Sequence, residues 1–281
     1  MIPVKRRYIH ITITVLIVGL MMSCSSEKKF ATAFVDKNIS RSALVFFPDF
    51  LFKTNQKTFL LDSLGVTDKT QFDSVLLAHS KYLQHISDSL FLANYKLGFT
   101  KELSAFGFSV FDENNVAGFM EVDTNAFVIN IAQIELEETI YTDRDETLIY
   151  DTYYFHEQDL EAVYINSWIE ISKVNENSNK ANVYFATGLI TDDFDGDFNY
   201  DLFTGKINYS YHLDSLERSE LYKYAYKLGR TFAGYTFDFL LNDYLDKTVS
   251  EEERSDKYWR FNPYDKTFFP AYDDRLVPLD E

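Results

Sequence analysis

The sequence predicts an α+β fold: a single domain with a mostly antiparallel sheet covered by two main helices, followed by an extended C-terminal tail. Three observations carry this expectation. Between Phe108 and Leu213 many apolar residues recur with a period of two, in segments rich in Val, Ile, Phe and Tyr, the side chains that suit a pleated, half-buried surface. Residues 87–106 and 216–244 instead place apolar residues three and four apart, the spacing of an amphipathic helix. No internal repeat and no Gly/Ser-rich linker divides the chain, which argues for one core.

Taken in order, residues 43–47 (ALVFF) are a continuous apolar run that Pro48 closes, as a first buried strand would be. Thr67 or Asp68 can cap a short helix carrying Phe72, Val75 and Leu76. In the next helix Ile86, Leu90, Ala93 and Leu97 fall at steps of three or four, and Gly107 supplies the stop. Strands are then expected at 108–111, 126–136, 163–171 and 183–190. Residues 198–203 and 207–213 flank Thr204-Gly205-Lys206 as a hairpin with one buried face.

The late helix carries the strongest signal. Asp214 with Glu217 resembles a capping box, and Leu221, Tyr224, Ala225, Leu228, Phe232, Tyr235 and Phe239 keep helical spacing after it. Ala225, Gly229 and Ala233 form a strip of small side chains along which another backbone can approach closely. Beyond it, residues 258–281 mix Trp259, Phe261, Phe268, Phe269 and Tyr272 with three prolines, an aromatic content too high for a plain disordered tail. Either an intramolecular strap or a docking arm fits that composition.

The N-terminus assigns a compartment. Lys5, Arg6 and Arg7 precede an apolar run at 8–22 that is shorter and more polar than the roughly 20 apolar residues a spanning helix needs. It reads as a cleaved export signal. The run Leu20-Met21-Met22-Ser23-Cys24 resembles the lipobox of bacterial lipoproteins, which implies cleavage before Cys24 and lipidation of Cys24 itself. No second cysteine exists to form a disulfide. The expected organisation is a signal peptide at 1–23, a tether at 24–41, an α+β domain at 42–247 and an aromatic, acidic tail at 248–281. Ser25 is unlike the aspartate that retains some lipoproteins in the inner membrane. The expected location is therefore a lipid anchor in the outer membrane, facing the periplasm, with surface exposure left open.

The net charge of −17 excludes a nucleic-acid partner, since a phosphate backbone is bound by clustered Lys and Arg. The most site-like run is 193–201 (DFDGDFNYD). It resembles the DxDGDGxxD loop of FG-GAP and related calcium modules, with Asp193, Asp195, Asp197 and Asp201 at the ligand positions; Phe198 replaces the second glycine. No cofactor is required on this reading, and calcium is the candidate ion. The alternative is an acidic strand connection with Asp195-Gly196 as its turn. Tyr164 and Trp168 share one face of a strand opposite Val163, Ile165, Ile169 and Ile171, where they could stack on a sugar ring.

Catalytic signatures are absent: there is no Gly-x-Ser-x-Gly, no P-loop and no His-Glu-x-x-His, and the mature histidines do not share a helix face at metal-ligand spacing. The order of strand, helices, several strands and a late long helix is similar to small envelope lipoproteins of the lipopolysaccharide-assembly and transport-auxiliary kind. That likeness implies a non-enzymatic docking or assembly subunit with an envelope protein partner. The alternative is a surface lipoprotein that binds glycan or another ligand through exposed Tyr and Trp, with calcium bound.

Overall fold

The computed structural model describes residues 26–36, 40–122, 125–174, 182–255, 257–272 and 275–279. The expected signal peptide and Cys24 lie outside them. The element order is α1 (Ser26–Val35), β1 (Arg41–Phe46), β2 (Phe52–Asn55), α2 (Phe59–Leu64), α3 (Phe72–Ala78), α4 (Asp88–Ala105), β3 (Phe108–Phe111), α5 (Val116–Met120), β4 (Ala126–Ile149), β5 (Thr152–Lys173), β6 (Asn182–Thr191), β7 (Asp193–Tyr200), β8 (Ile207–Asp214), α6 (Arg218–Thr248), β9 (Tyr258–Asn262), β10 (Thr267–Ala271) and β11 (Val277–Pro278). The fold is α+β in a single body.

The main sheet runs β11-β6-β5-β4-β1-β3, and β2 also pairs with β4. Its β4-β5-β6 meander and β11 are antiparallel, as expected. The other half is not: β1 lies parallel to both β3 and β4, and β2 lies parallel to β4. Parallel neighbours need a long crossover, and the helical stretch between β1 and β3 supplies one. β1 and β2 occupy one lane along the same edge of β4, facing 126–130 and 135–138 in turn. Pro48 falls in the gap between them, where no ladder hydrogen bond is needed.

Helices α4 and α6 cover one face. Ser87 caps α4, accepting from the Leu90 N–H at 3.4 Å. On α6 the capping box is Glu217 with Glu220, three residues later than Asp214 with Glu217. The shift has a local cause. Asp214 still pairs with Asp193 in the β7–β8 ladder, and Leu216 is buried with its N–H donating to Asp192 Oδ1 at 2.7 Å, so the chain turns into helix only after it. The small-residue strip does admit a backbone: a Cβ on Gly229 would lie 2.2 Å from the Tyr95 carbonyl oxygen, and one on Gly98 2.2 Å from that of Tyr226. The two helices therefore cross glycine against carbonyl in both directions. Beneath them lie Ile129, Ile131, Ile134, Leu136, Val163, Ile165 and Ile169.

The stretch expected as a tether contains α1, which is packed into the body. Ala31 and Phe34 are buried, and the Phe34 ring meets Phe237 at 5.8 Å and Tyr244 at 5.0 Å. Glu27 accepts from the Ser255 N–H at 2.6 Å, the Ser255 hydroxyl at 2.7 Å and Trp259 Nε1 at 2.9 Å. In the stretch expected as an extended tail, β9 and β10 pair as an antiparallel hairpin against α6. Asn242 exchanges both hydrogen bonds with the Trp259 backbone, and Asp238 Oδ1 accepts from the Phe261 N–H at 3.0 Å.

Candidate docking surface

The β4–β5 ribbon outruns the rest of the sheet. β2 stops opposite Glu138 and β6 stops opposite Ala162, yet β4 and β5 stay paired to Ile149↔Thr152. At a strand rise of about 3.3 Å per residue this leaves a two-stranded arm projecting roughly 35 Å. Tyr150 and Asp151 close it with positive φ angles of 49° and 60°, the left-handed pair that a two-residue hairpin turn requires. A bare two-stranded ribbon is marginal in water. Here a second hairpin, β7–β8, lies across one face.

The contact between the two hairpins is aromatic. The Tyr209 ring stacks on His156 at 4.1 Å and meets Phe198 edge-on at 4.7 Å, while its hydroxyl donates to Asp145 Oδ2 at 3.2 Å. Burial first, and then that hydrogen bond, push the Tyr209 pKa up to about 12. Gly196 makes room: a Cβ there would sit 1.8 Å from the Tyr209 hydroxyl. It is a mid-strand residue paired with Tyr211, and the Asp195-Gly196 turn is not formed.

This geometry disperses the acidic run. Asp193, Asp195 and Asp197 lie on β7 and all point to the solvent face, spaced by the roughly 6.6 Å that two residues of strand impose. A calcium ion needs its oxygens at about 2.4 Å, so these three cannot converge on one. Asp201 is spent differently, accepting from the Phe203 and Thr204 N–H groups and the Thr204 hydroxyl to close the β7–β8 turn. Among the described residues no group of three His, Cys, Asp or Glu side chains is placed to hold a metal.

At the tip of the arm large apolar side chains face solvent. Tyr150 is 79% exposed, Tyr153 75%, Leu202 82% and Phe203 100%, and Leu148 and Phe155 are also exposed. Tyr150 and Tyr200 bring the two hairpin ends together with rings 5.5 Å apart. Behind the tip the arm is acidic: Asp143, Asp145, Glu146, Glu157 and Asp159 line the ribbon, and Asp193, Asp195 and Asp197 form a comb on the covering hairpin. Arg144 is the basic residue of the ribbon, and it lies over Phe155 and pairs with Glu157 at 3.2 Å. Aromatic anchors inside a charged rim are the composition of an interface centre. Sequence reading missed this surface because no residue from 141 to 159 is buried, so neither face of the ribbon carries a regular core pattern. The available signal was the cluster Leu148, Tyr150, Tyr153 and Phe155 in an otherwise charged stretch.

Tyr164 and Trp168 do share a face of β5, opposite buried Val163, Ile165, Ile169 and Ile171. Both are half-buried, and Trp168 pairs across to Phe185 with rings 5.2 Å apart. Asn166 lies between them, tied to Thr187 at 2.8 Å. Helices α4 and α6 cover the opposite face, so this aromatic pair lies on the thinly covered side.

The strongest buried polar cluster is structural. Glu138 is fully buried and accepts from Lys57 Nζ at 2.8 Å, the Ser80 hydroxyl at 2.6 Å, the Lys81 N–H at 2.8 Å and the Tyr82 N–H at 2.9 Å. Burial pulls its pKa up, but these donors outweigh it and the net shift is down. Lys57 also bridges to Glu161, and Asp192 accepts from the Glu161 and Leu216 N–H groups. Each carboxylate is engaged in joining a loop to the sheet at the root of the arm.

Comparison with protein families, with characterised proteins and with solved structures finds no match to this chain.

Proposed function

We propose that the chain is a non-enzymatic envelope lipoprotein, anchored through Cys24 at the outer membrane on the periplasmic side, that acts as a docking or assembly subunit. The two-hairpin arm is its docking element. The export signal and the lipobox-like run support the anchor. The single observation that carries the docking reading is the solvent-facing cluster Leu148, Tyr150, Tyr153, Leu202 and Phe203 at the end of a braced arm. Burying aromatic side chains of this size in a partner pocket is worth about 1.5–3 kcal/mol each before ordering costs, so a few suffice for specific binding. The acidic shaft favours a partner whose pocket has a basic rim and disfavours nucleic acid and anionic bilayers.

The test is site-specific photocrosslinking in intact cells from position 153, compared with position 97 on the exposed face of α4. A discrete protein adduct from 153 that Phe203→Ser abolishes is the expected result; identical adducts from both positions, or none from either, would refute the docking reading. Membrane fractionation of Cys24→Ala checks the anchor separately. A second reading has one observation behind it, the half-exposed Trp168–Phe185 pair on the thinly covered sheet face, which suits a sugar ring. Affinity-gel retardation by glycan that disappears in Trp168→Ala would favour it.

A further inference from the structure

A cavity of about 570 Å³ opens between α1, the C-terminal end of α4 and the β9–β10 hairpin, lined on its apolar side by Val35, Phe106, Phe261, Pro263 and Phe268. That volume lies within the usual range for a small-molecule site. Arg41 also lines it and is only 3% exposed. Its guanidinium donates to two carbonyl oxygens, Phe34 and Phe106, and lies 5.0 Å from the Phe34 ring centre, 5.6 Å from that of Phe108 and 5.9 Å from that of Phe237. Among the described residues no acceptor meets its buried Nε.

The charge is the unusual part. Elsewhere in the body, buried Glu138 has Lys57 and buried Glu102 has Arg230 at 2.6 Å. Among the described residues no carboxylate pairs with Arg41. Asp36 lies on the exposed rim of the same cavity. Taking a guanidinium out of water costs several kcal/mol, and carbonyl dipoles and ring faces offset only part of that without supplying a counter-charge. Burial accordingly lowers the Arg41 pKa. A buried cation beside a phenylalanine-lined cavity is complementary to a molecule with an anionic head and an apolar body. Lys266, at the rim, adds a second positive charge on the path in.

We propose that this cavity binds a single-chain amphiphile with an anionic head, a carboxylate or a phosphate, its head against Arg41 and its aliphatic chain along Phe106, Phe261 and Phe268. The site is separate from the arm, and its test does not depend on the docking reading. The full chain carrying Cys24→Ala is titrated calorimetrically with dodecanoate, dodecyl phosphate and dodecanol, each below its micelle-forming concentration. The expected result is at least tenfold tighter binding of an anionic probe than of dodecanol. Arg41→Met should bring the anionic probes down to the dodecanol level and leave dodecanol unchanged. Should Arg41→Met fail to fold, Thr32→Trp at the exposed mouth of the cavity should weaken all three probes by a similar factor. A preference between the two anionic heads distinguishes a free fatty acid from a lipid phosphate. Equal binding of charged and neutral probes, no binding of any, or anionic binding untouched by the variant that folds would overturn the proposal.

Discussion

The crossing of α4 and α6 gives two glycines on one helix opposite expected signs. Replacing glycine by alanine inside a helix ordinarily gains about 1 kcal/mol, because the backbone loses less entropy on folding. At Gly234 the nearest atoms to a new methyl are those of the Phe106 ring, at 3.9 and 4.0 Å, which is ordinary contact. Gly234→Ala should therefore stabilise the protein by up to about 1 kcal/mol. At Gly229 the methyl would lie 2.2 Å from the Tyr95 carbonyl oxygen and 2.9 Å from the Phe99 nitrogen, and neither is a side chain that can swing away. The helices must part by roughly 1 Å, and a gap of that size forfeits a quarter to a half of the dispersion energy across the contact. Overpacking of this kind costs up to about 3 kcal/mol, so after the propensity gain Gly229→Ala should lose about 2 kcal/mol net. Urea denaturation of wild type, Gly98→Ala, Gly229→Ala, Gly234→Ala and the Gly98→Ala/Gly229→Ala double variant measures this. The double variant should cost less than the two singles added together, since the first methyl has already opened the crossing. A Gly229→Ala protein as stable as Gly234→Ala would refute the reasoning.

Three further outcomes follow from side chains at the root and flank of the arm and from the C-terminal hairpin. Glu138→Gln leaves Lys57 half-paired and turns an amide group toward donors, and should cost about 3–5 kcal/mol in denaturant melts; a loss under about 1 kcal/mol would mean the network is dispensable. Because the folded carboxylate titrates below its ordinary value of 4.5, its contribution is present above that pH and is lost as the pH falls below it. Asp238 is the reverse case: burial, opposed by the Phe261 N–H and by Arg260, raises its pKa to about 7. Between its ordinary 3.8 and about 7 the folded state holds more protons than the unfolded one, so stability falls as the pH rises. Asp238→Asn should raise the melting temperature at pH 8 and do little at pH 4, and an equal effect at both would exclude this origin. Gly196→Ala should displace Tyr209 and speed amide exchange across 193–214 while global unfolding stays near wild type; unchanged exchange there would show that the ring does not brace the arm.

Elements buried on one regular face were legible in the sequence, and elements held by distant partners were not. Residues 87–106 and 216–244 repeat apolar side chains at helical spacing because one stripe of each lies on the sheet, and the Ala225-Gly229-Ala233 strip indicated the close crossing correctly. The helix at 26–35 has the same spacing in Phe30, Ala31, Phe34 and Val35, but it is short and its key polar residue, Glu27, finds partners only at Ser255 and Trp259. No local pattern encodes that. The parallel lane of β1 and β2 also depends on long crossovers. The arm escaped because periodicity reports burial, and most of the ribbon beyond Glu138 is not buried. The calcium-like run shows the same limit from the other side: alternating aspartates look like a ligand loop, yet the alternation is the pleat of a strand whose other face is aromatic.

Helix α1 changes what an anchor at Cys24 would mean for the arm. A flexible tether over 24–41 would let the body wander by roughly 20 Å relative to its lipid. Instead α1 begins at Ser26, two residues after Cys24, and is held by Glu27, by Phe34 and by the Arg41 guanidinium on the Phe34 carbonyl. Arg41 opens β1, which pairs with the first residues of β4, so α1 packs at the end of the sheet opposite the arm. Along β4, from Ala126 to Ile149, the tip lies roughly 75 Å from that end at strand rise. On the proposed reading the anchor and the aromatic tip are the two poles of one rigid body, and the partner is met away from the anchoring bilayer at a set distance. Preorganisation of this kind raises the effective concentration of the tip at its target, and slack reduces it. Inserting ten Gly/Ser residues after Cys24 should leave membrane association and melting temperature unchanged and lower the position-153 crosslink yield several-fold. An unchanged yield would mean that the short link between Cys24 and α1 is not what aims the arm.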